Sequence, residues 1–186
     1  FRLIRRSLEK PVYKEKLRLR SYGRADREHP VFMELKKKYR SIVYKRRLTL
    51  PYGRALDCLT GDCPWPETQI GREIGYAMDF YPDLEPRVFL SYERDSWYAP
   101  ESGLRITFDD AIRFRTADLT LDSDLWGTAL LRPDQVLMEL KAPGAIPLWM
   151  VRLLTEMGLY KTSFSKYGTA YQILLEQEYK GGKRYA

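Results

Sequence analysis

Basic and apolar residues alternate along Tyr13-Lys14-Glu15-Lys16-Leu17-Arg18-Leu19-Arg20-Ser21, which is the period of two expected of a β-strand. One face of this strand carries four cations: Lys14, Lys16, Arg18 and Arg20. Residues 31–39 and 41–49 read as two further strands, and the short linker at Arg40 predicts a hairpin between them. The pattern therefore predicts an antiparallel sheet with one strongly basic face.

The rest of the chain adds four strands and two or three helices without a regular strand-helix alternation. The predicted strands cover residues 87–97, 104–109, 111–116 and 136–141, with a hairpin between the second and third of these. One helix is expected over residues 66–81, another from Pro147 to Met157, and residues 51–66 read as helix or loop. Residues 171–179 fit either helix or strand. The sequence predicts an α+β fold with an antiparallel sheet, open or closed into a barrel, in a single domain over residues 1–186.

The composition is that of a soluble globular protein and argues against several enzyme classes. The chain has 186 residues, 44% of them hydrophobic, and a formal net charge of +7, which favours an acidic partner. Its single histidine, His29, argues against His-based zinc sites and Ser-His-Asp triads. Cys58 and Cys63 lack the spacing of zinc knuckles and redox motifs, so we expect reduced thiols in the cytoplasm. No apolar run reaches the roughly 18 residues of a membrane-spanning helix.

Charged and polar residues recur on one face of each successive predicted strand. The members are Glu34, Lys36, Lys38, Lys45, Arg47, Tyr92, Arg94, Arg105, Thr107, Asp109, Glu139 and Lys141. The pattern leaves two interpretations open: a solvated basic face, or a barrel whose interior is a cationic tunnel for a polyanion.

Two carboxylates lie among these cations in the same local order of Glu, apolar residue and Lys. They are Glu34 and Glu139. A carboxylate beside phosphate-binding cations is what Mg²⁺ or Mn²⁺ needs. For Glu34 a salt bridge to a neighbouring Lys or Arg is an equal alternative, whereas for Glu139 we favour the metal. Asp109 and Asp110 could support a metal or turn a hairpin.

Seven segments carry a resemblance to a known family. They are residues 16–23 (KLRLRSYG), 31–36 (VFMELK), 43–47 (VYKRR), 92–94 (YER), 104–109 (LRITFD), 136–141 (VLMELK) and 163–167 (SFSKY). In this order they resemble the polyphosphate polymerase domain of the vacuolar transporter chaperone (VTC) family, within the triphosphate tunnel metalloenzyme group. The resemblance implies an antiparallel β-barrel tunnel with helices packed outside, in which the γ-phosphoryl of ATP is transferred to a growing polyphosphate chain.

The resemblance also implies roles for individual residues. The implied phosphate-binding residues are Arg18, Arg20, Lys36, Lys45, Arg47, Arg94, Arg105, Lys141 and Lys166. The implied ligand of Mn²⁺ or Mg²⁺ is Glu139, and Arg105 and Lys38 are the implied catalytic residues. Lys38 stands where some relatives carry a His that could assist proton transfer, which leaves the general base unassigned.

One departure from the family pattern concerns the N-terminus. A Glu/Lys-rich first strand normally precedes these segments, and none precedes Tyr13, so we expect that N-terminal residues of the native protein are missing, with part of the metal site.

Two other functions stay open at this stage. The same tunnel with water as the acceptor would be a triphosphatase, and without turnover it would be a module that binds polyphosphate or nucleic acid. Nucleic acid is the less favoured ligand, because Phe32 is the only aromatic residue that we place on the early basic faces.

Overall fold

A computed structural model describes residues 1–9 and 11–182, with side chains up to residue 179. These residues form five helices and seven strands. The strands are β1 (Tyr13–Arg20), β2 (Pro30–Tyr39), β3 (Ile42–Pro51), β4 (Phe89–Ala99), β5 (Leu104–Arg115), β6 (Thr128–Ala129) and β7 (Leu137–Lys141). The helices are α1 (Arg2–Leu8), α2 (Tyr52–Thr60), α3 (Gln69–Phe80), α4 (Leu148–Glu156) and α5 (Lys166–Gly182). The strands form two antiparallel sheets, which confirms the α+β class; no closed barrel is found in these residues.

The chain packs as two units. The first unit is Phe1–Phe89 with Thr116–Asp124, and the second is Leu90–Arg115 with Leu125–Ala186. Each unit contains one of the two sheets.

The sheet of the first unit has the order β1-β2-β3, and the predicted hairpin joins its last two strands. The hairpin loop holds only Arg40 and Ser41, and Arg40 adopts a φ of 52°. The register places Arg18, Glu34 and Arg47 directly opposite one another. Because successive residues of a strand point to opposite faces, this row fixes one charged and one apolar face.

Helices α2 and α3 pack on the apolar face of this sheet. Met33 and Leu35 are buried against Ile74 of α3, and Val31 is buried against Ala55 of α2. Burial of a large apolar side chain contributes about 1.5–3 kcal/mol. These contacts orient the sheet, so that the charged residues occupy the opposite face.

Helix α3 begins at a capped and tightly packed turn. The Thr68 side chain caps the helix by accepting a hydrogen bond from the Gly71 amide over 3.0 Å. A Cβ atom on Gly71 would lie 2.0 Å from the carbonyl oxygen of Pro66, so this turn needs a residue without a side chain.

We expect Gly71→Ala to lower the free energy of unfolding by about 1–3 kcal/mol, because the added methyl group forces the backbone apart. Alanine in a helix normally has the opposite effect, a gain of about 1 kcal/mol over glycine. Urea denaturation measures the difference. Gly144→Ala is the control, since nothing lies within 4 Å of its added Cβ. A stabilised Gly71→Ala protein would contradict the close approach.

The sheet of the second unit is built around β5. This strand is continuous over Leu104–Arg115. The predicted hairpin between residues 104–109 and 111–116 is therefore wrong. The pair Asp109-Asp110 resembles a turn, but ladder pairing and long-range ion pairs override that local preference. Ala111, with a φ of 44°, marks a local irregularity within the strand. The first half of β5 pairs with β7 and the second half with β6, which the sequence did not predict.

Most of the remaining elements agree with the sequence, but α1 and β6 were not predicted. Helix α4 covers Leu148–Glu156, so its ends lie within one residue of the predicted Pro147 and Met157, and residues 171–179 adopt the helical alternative as part of α5. Both cysteines are free thiols, as expected of reduced, structural residues.

Candidate functional site

The charged face of the first sheet carries eight cations in register. They are Lys14, Lys16, Arg18 and Arg20 of β1, Lys36 and Lys38 of β2, and Lys45 and Arg47 of β3. Lys16, Lys36 and Lys45 lie directly opposite one another across the three strands. Like charges directly opposite each other destabilise a sheet, so this row of lysines favours an anionic ligand.

Glu34 is the one acidic residue of this face among the described strands, and it is 3% exposed. Its carboxylate accepts hydrogen bonds from Nε of Arg18 over 3.0 Å and from Nε of Arg47 over 2.9 Å. Nζ of Lys45 and Nη2 of Arg20 lie 3.2 and 3.7 Å from its Oε1. Four cations against one carboxylate leave a local charge of +3.

Electrostatics keep Glu34 ionised. Burial raises the pKa of Glu34, but the hydrogen bonds and charges of the surrounding cations, Arg18 first, lower it to about 2. The salt-bridge alternative therefore describes Glu34 in this structure. Its carboxylate fixes the positions of the surrounding cations.

Aromatic rings support two of these arginines. The guanidinium carbon of Arg20 lies 4.7 Å from the ring centroid of Tyr22, and that of Arg47 lies 5.0 Å from the ring of Phe32. Nε of Arg20 is buried without a hydrogen-bond partner in the part of the chain that the structure describes. A buried donor of this kind is costly to leave unsatisfied, which again favours a polar ligand at this face.

The second sheet carries a separate charged cluster around Asp109, which is 1% exposed. Arg94 of β4 donates two hydrogen bonds to its carboxylate, one of them 2.7 Å long, and Lys166 of α5 donates a third. Burial raises the pKa of Asp109, but the hydrogen bonds from Arg94 and Lys166 more than offset this and lower it. Both cations also lie over the ring of Tyr92, at 5.1 and 4.6 Å from its centroid. Asp109 and Tyr92 thus place two predicted phosphate-binding cations side by side.

The pair β5 and β7 supplies the remaining predicted residues. Arg105 lies directly opposite Lys141, and Thr107 lies directly opposite Glu139. Glu139 is 47% exposed, and one of its oxygens lies 3.2 Å from Nζ of Lys141. This arrangement leaves a partly exposed carboxylate beside cations.

A divalent metal ion needs acidic ligands, so the arrangement of the acidic residues shows whether such an ion fits this structure. Within residues 1–9 and 11–182, no group of three or more His, Cys, Asp or Glu is placed to hold a metal ion. Mg²⁺ is commonly bound through one or two carboxylates together with substrate phosphates. Glu139 therefore fits an ion that arrives with a phosphate ligand.

The structure distributes the predicted site residues over the two sheets. The first sheet groups Arg18, Arg20, Lys36, Lys38, Lys45 and Arg47, and the second groups Arg94, Arg105, Glu139, Lys141 and Lys166. The sequence missed Asp109 as the residue that holds Arg94 and Lys166. Its position on the charged face of the strand was a signal, but its acidic neighbour indicated a turn.

Comparison with known proteins decides the family. The model of the VTC domain matches residues 1–175, which is nearly the whole chain and includes both charged clusters. The chain belongs to the VTC domain family.

Membership of the VTC domain family connects this chain to polyphosphate metabolism, as the resemblance implied. No curated protein and no solved structure matches the chain. Among the described helices of this VTC domain, none has the length and apolar character needed to span a bilayer.

Proposed function

We propose that this VTC domain is a polyphosphate polymerase that transfers the γ-phosphoryl group of ATP to the end of a polyphosphate chain. The row of Lys16, Lys36 and Lys45 beside the row of Arg18, Glu34 and Arg47 carries the proposal. Neighbouring strands lie about 4.8 Å apart, so these rows form a continuous positive surface. A chain of linked phosphates neutralises such a surface at several points, whereas a single small anion meets only part of it.

The proposed reaction is a phosphoryl transfer between two anions. The bond from the γ-phosphorus to the bridging oxygen of ATP breaks, a new bond forms to a terminal oxygen of the acceptor chain, and ADP leaves. A terminal phosphate has a second pKa of about 6, so most acceptor ends are already ionised at neutral pH. The attacking oxygen then needs no strong general base, and the protein's task is to align the two anions and neutralise charge.

The two sheets supply the cations for this task. In this proposal, phosphate oxygens are bound and aligned by Arg94, Arg105 and Lys141 of the second sheet, by Lys166 of α5, and by Arg18, Arg20, Lys36, Lys45 and Arg47 of the first sheet. Lys38 lies one row beyond Lys36, opposite Lys14, and extends the positive surface toward the hairpin. Arg105 is the catalytic cation in this proposal, because it stabilises the negative charge that develops on the transferred phosphoryl group.

The proposal includes a divalent ion and a tunnel. Glu139 would hold Mn²⁺ or Mg²⁺ together with phosphate oxygens of ATP, and this ion supplies further charge neutralisation. The closed β-barrel tunnel that the resemblance implies is part of the same proposal. The free thiols of Cys58 and Cys63 agree with the cytoplasm as its compartment.

Product analysis tests the proposal. The chain is incubated with ATP and Mn²⁺ or Mg²⁺, and the products are resolved by phosphorus NMR. We expect signals from chain-interior phosphates with the wild type, and a loss of about tenfold or more in their rate of appearance with Arg105→Ala or Glu139→Gln. Arg132→Ala is the matched control, because Arg132 is 71% exposed and its ion pair with Asp134 involves no residue of the two charged clusters.

Each other result assigns a different function. Orthophosphate without interior signals means that water is the acceptor, and the protein is then a triphosphatase. Binding of triphosphate without any turnover means a module that only binds polyphosphate.

A further inference from the structure

The hydroxyl group of Thr107 is unsatisfied in the described structure. Thr107 is 5% exposed, and its Oγ1 has no hydrogen-bond partner among the described residues. A buried hydroxyl without a partner costs free energy, and such groups are rare in folded proteins. Valine has the same shape and no hydroxyl, so packing alone gives no reason for threonine at this position.

The surroundings of Thr107 explain why its hydroxyl lacks a partner. It lies between Arg105 and Asp109 on one face of β5, directly opposite Glu139. Residues two apart on a strand are separated by about 6.6 Å, which is too far for a hydrogen bond from a short side chain to the Asp109 carboxylate. The hydroxyl thus lies within the cluster of predicted phosphate-binding residues.

The chemistry of this cluster indicates what the hydroxyl binds. Its cations attract an anion, and a hydroxyl can donate to an anionic oxygen. On the neighbouring strand β7, the long side chains of Glu139 and Lys141 are 47% and 57% exposed. They can therefore swing aside when a ligand replaces their mutual contact.

We propose that the Thr107 hydroxyl donates a hydrogen bond to a non-bridging phosphate oxygen of the bound triphosphate or polyphosphate. Thr107 is then a further substrate-binding residue that orients the phosphate next to Arg105. This inference rests on the proposed function, because it needs a phosphate ligand on the second sheet.

Two substitutions test this role. Thr107→Val removes the hydroxyl and keeps the shape, and Thr107→Ser keeps the hydroxyl. Calorimetric titration with inorganic triphosphate in the presence of EDTA should show affinity about tenfold weaker for Thr107→Val and within about twofold of wild type for Thr107→Ser. Without ligand, Thr107→Val should melt at the same temperature as the wild type or higher, since it removes an unsatisfied polar group.

The outcomes separate this inference from the proposed function. Wild-type protein that binds no triphosphate, either in EDTA or with Mn²⁺ or Mg²⁺ present, overturns both. Wild-type binding with an unchanged affinity in Thr107→Val overturns the inference alone. So does a lower melting temperature for the unliganded Thr107→Val protein, which would show that the fold itself satisfies the hydroxyl. An effect of Thr107→Val that appears only when Mn²⁺ is present also overturns it, because the hydroxyl would then act through the metal.

Discussion

Replacing Glu34 with glutamine is expected to lower the free energy of unfolding by about 3 kcal/mol at pH 7, a change of more than 100-fold in the unfolding equilibrium. Glutamine has the same shape but no charge. The four cations around position 34 therefore lose the negative charge that offsets their mutual repulsion. A pKa that falls from 4.5 to about 2 on folding corresponds to a contribution of this size. Urea denaturation measures the loss, with an unchanged m-value as evidence that the unfolded state is unaffected.

The pH dependence gives the same prediction an independent check. Because the folded pKa of Glu34 is depressed, the unfolded state binds the proton more readily, and stability rises with pH through this range. The contribution of Glu34 is complete above about pH 5.5 and is lost as the pH falls from about 4.5 toward 2. Wild type and Glu34→Gln should therefore differ fully at pH 7 and converge as the pH approaches 2.

Glu73→Gln is the matched control. Glu73 pairs with a single cation, Arg46, over 2.7 Å, and it is 31% exposed. A pair of this kind contributes less than about 1 kcal/mol. Equal losses in Glu34→Gln and Glu73→Gln would show that Glu34 has no special part in holding the cations. A second check is inorganic triphosphate, which should stabilise Glu34→Gln more than wild type because three positive charges become four.

Asp109→Asn is expected to have an effect of similar size, a loss of about 3 kcal/mol in the free energy of unfolding. Removing one partner of a buried ion pair leaves an uncompensated charge and costs about 3–5 kcal/mol. Arg94 and Lys166 are 31% and 19% exposed, so solvent screens part of the loss and the lower end of that range applies. The hydrogen bond from Arg94 to Asp109 also raises the pKa of Arg94, so both partners favour the ion pair.

The neighbouring residue offers a control for Asp109. Asp110 is exposed and next in sequence, so Asp110→Asn makes the same chemical change without removing a buried charge. Its effect should stay within about 0.5 kcal/mol. Denaturant titration of the two variants decides the matter, and equal stabilities of the two would contradict the anchoring role of Asp109.

Much of the first sheet could be predicted from sequence because its information is local. The alternation from Lys14 to Arg20 sets the two faces of β1, and the short linker at Arg40 sets the hairpin. The second sheet was predicted less well. Asp109 and Asp110 indicate a turn by local preference, and pairing with β7 together with the distant residues Arg94 and Lys166 keeps Asp109 inside a continuous strand.

The candidate site shows the same division. Strand periodicity assigned the cations of each face, and the register of the strands agrees with that assignment. The sequence could not decide between a metal and a salt bridge for Glu34, because that choice depends on where the four cationic side chains of the two neighbouring strands end. Strand periodicity placed Thr107 on the charged face of its strand, but its unsatisfied hydroxyl becomes visible only when its neighbours are placed.

The eight cations on the face of the first sheet also affect how selective the protein can be. Such a density of charge gathers a layer of small counter-ions, and any polyanion that displaces them gains the entropy of their release. In dilute buffer, RNA would benefit from this release much as polyphosphate does. Raising the ionic strength toward cellular values weakens that shared attraction. Discrimination between the two polymers then depends on the contacts that recognise the geometry of linked phosphates.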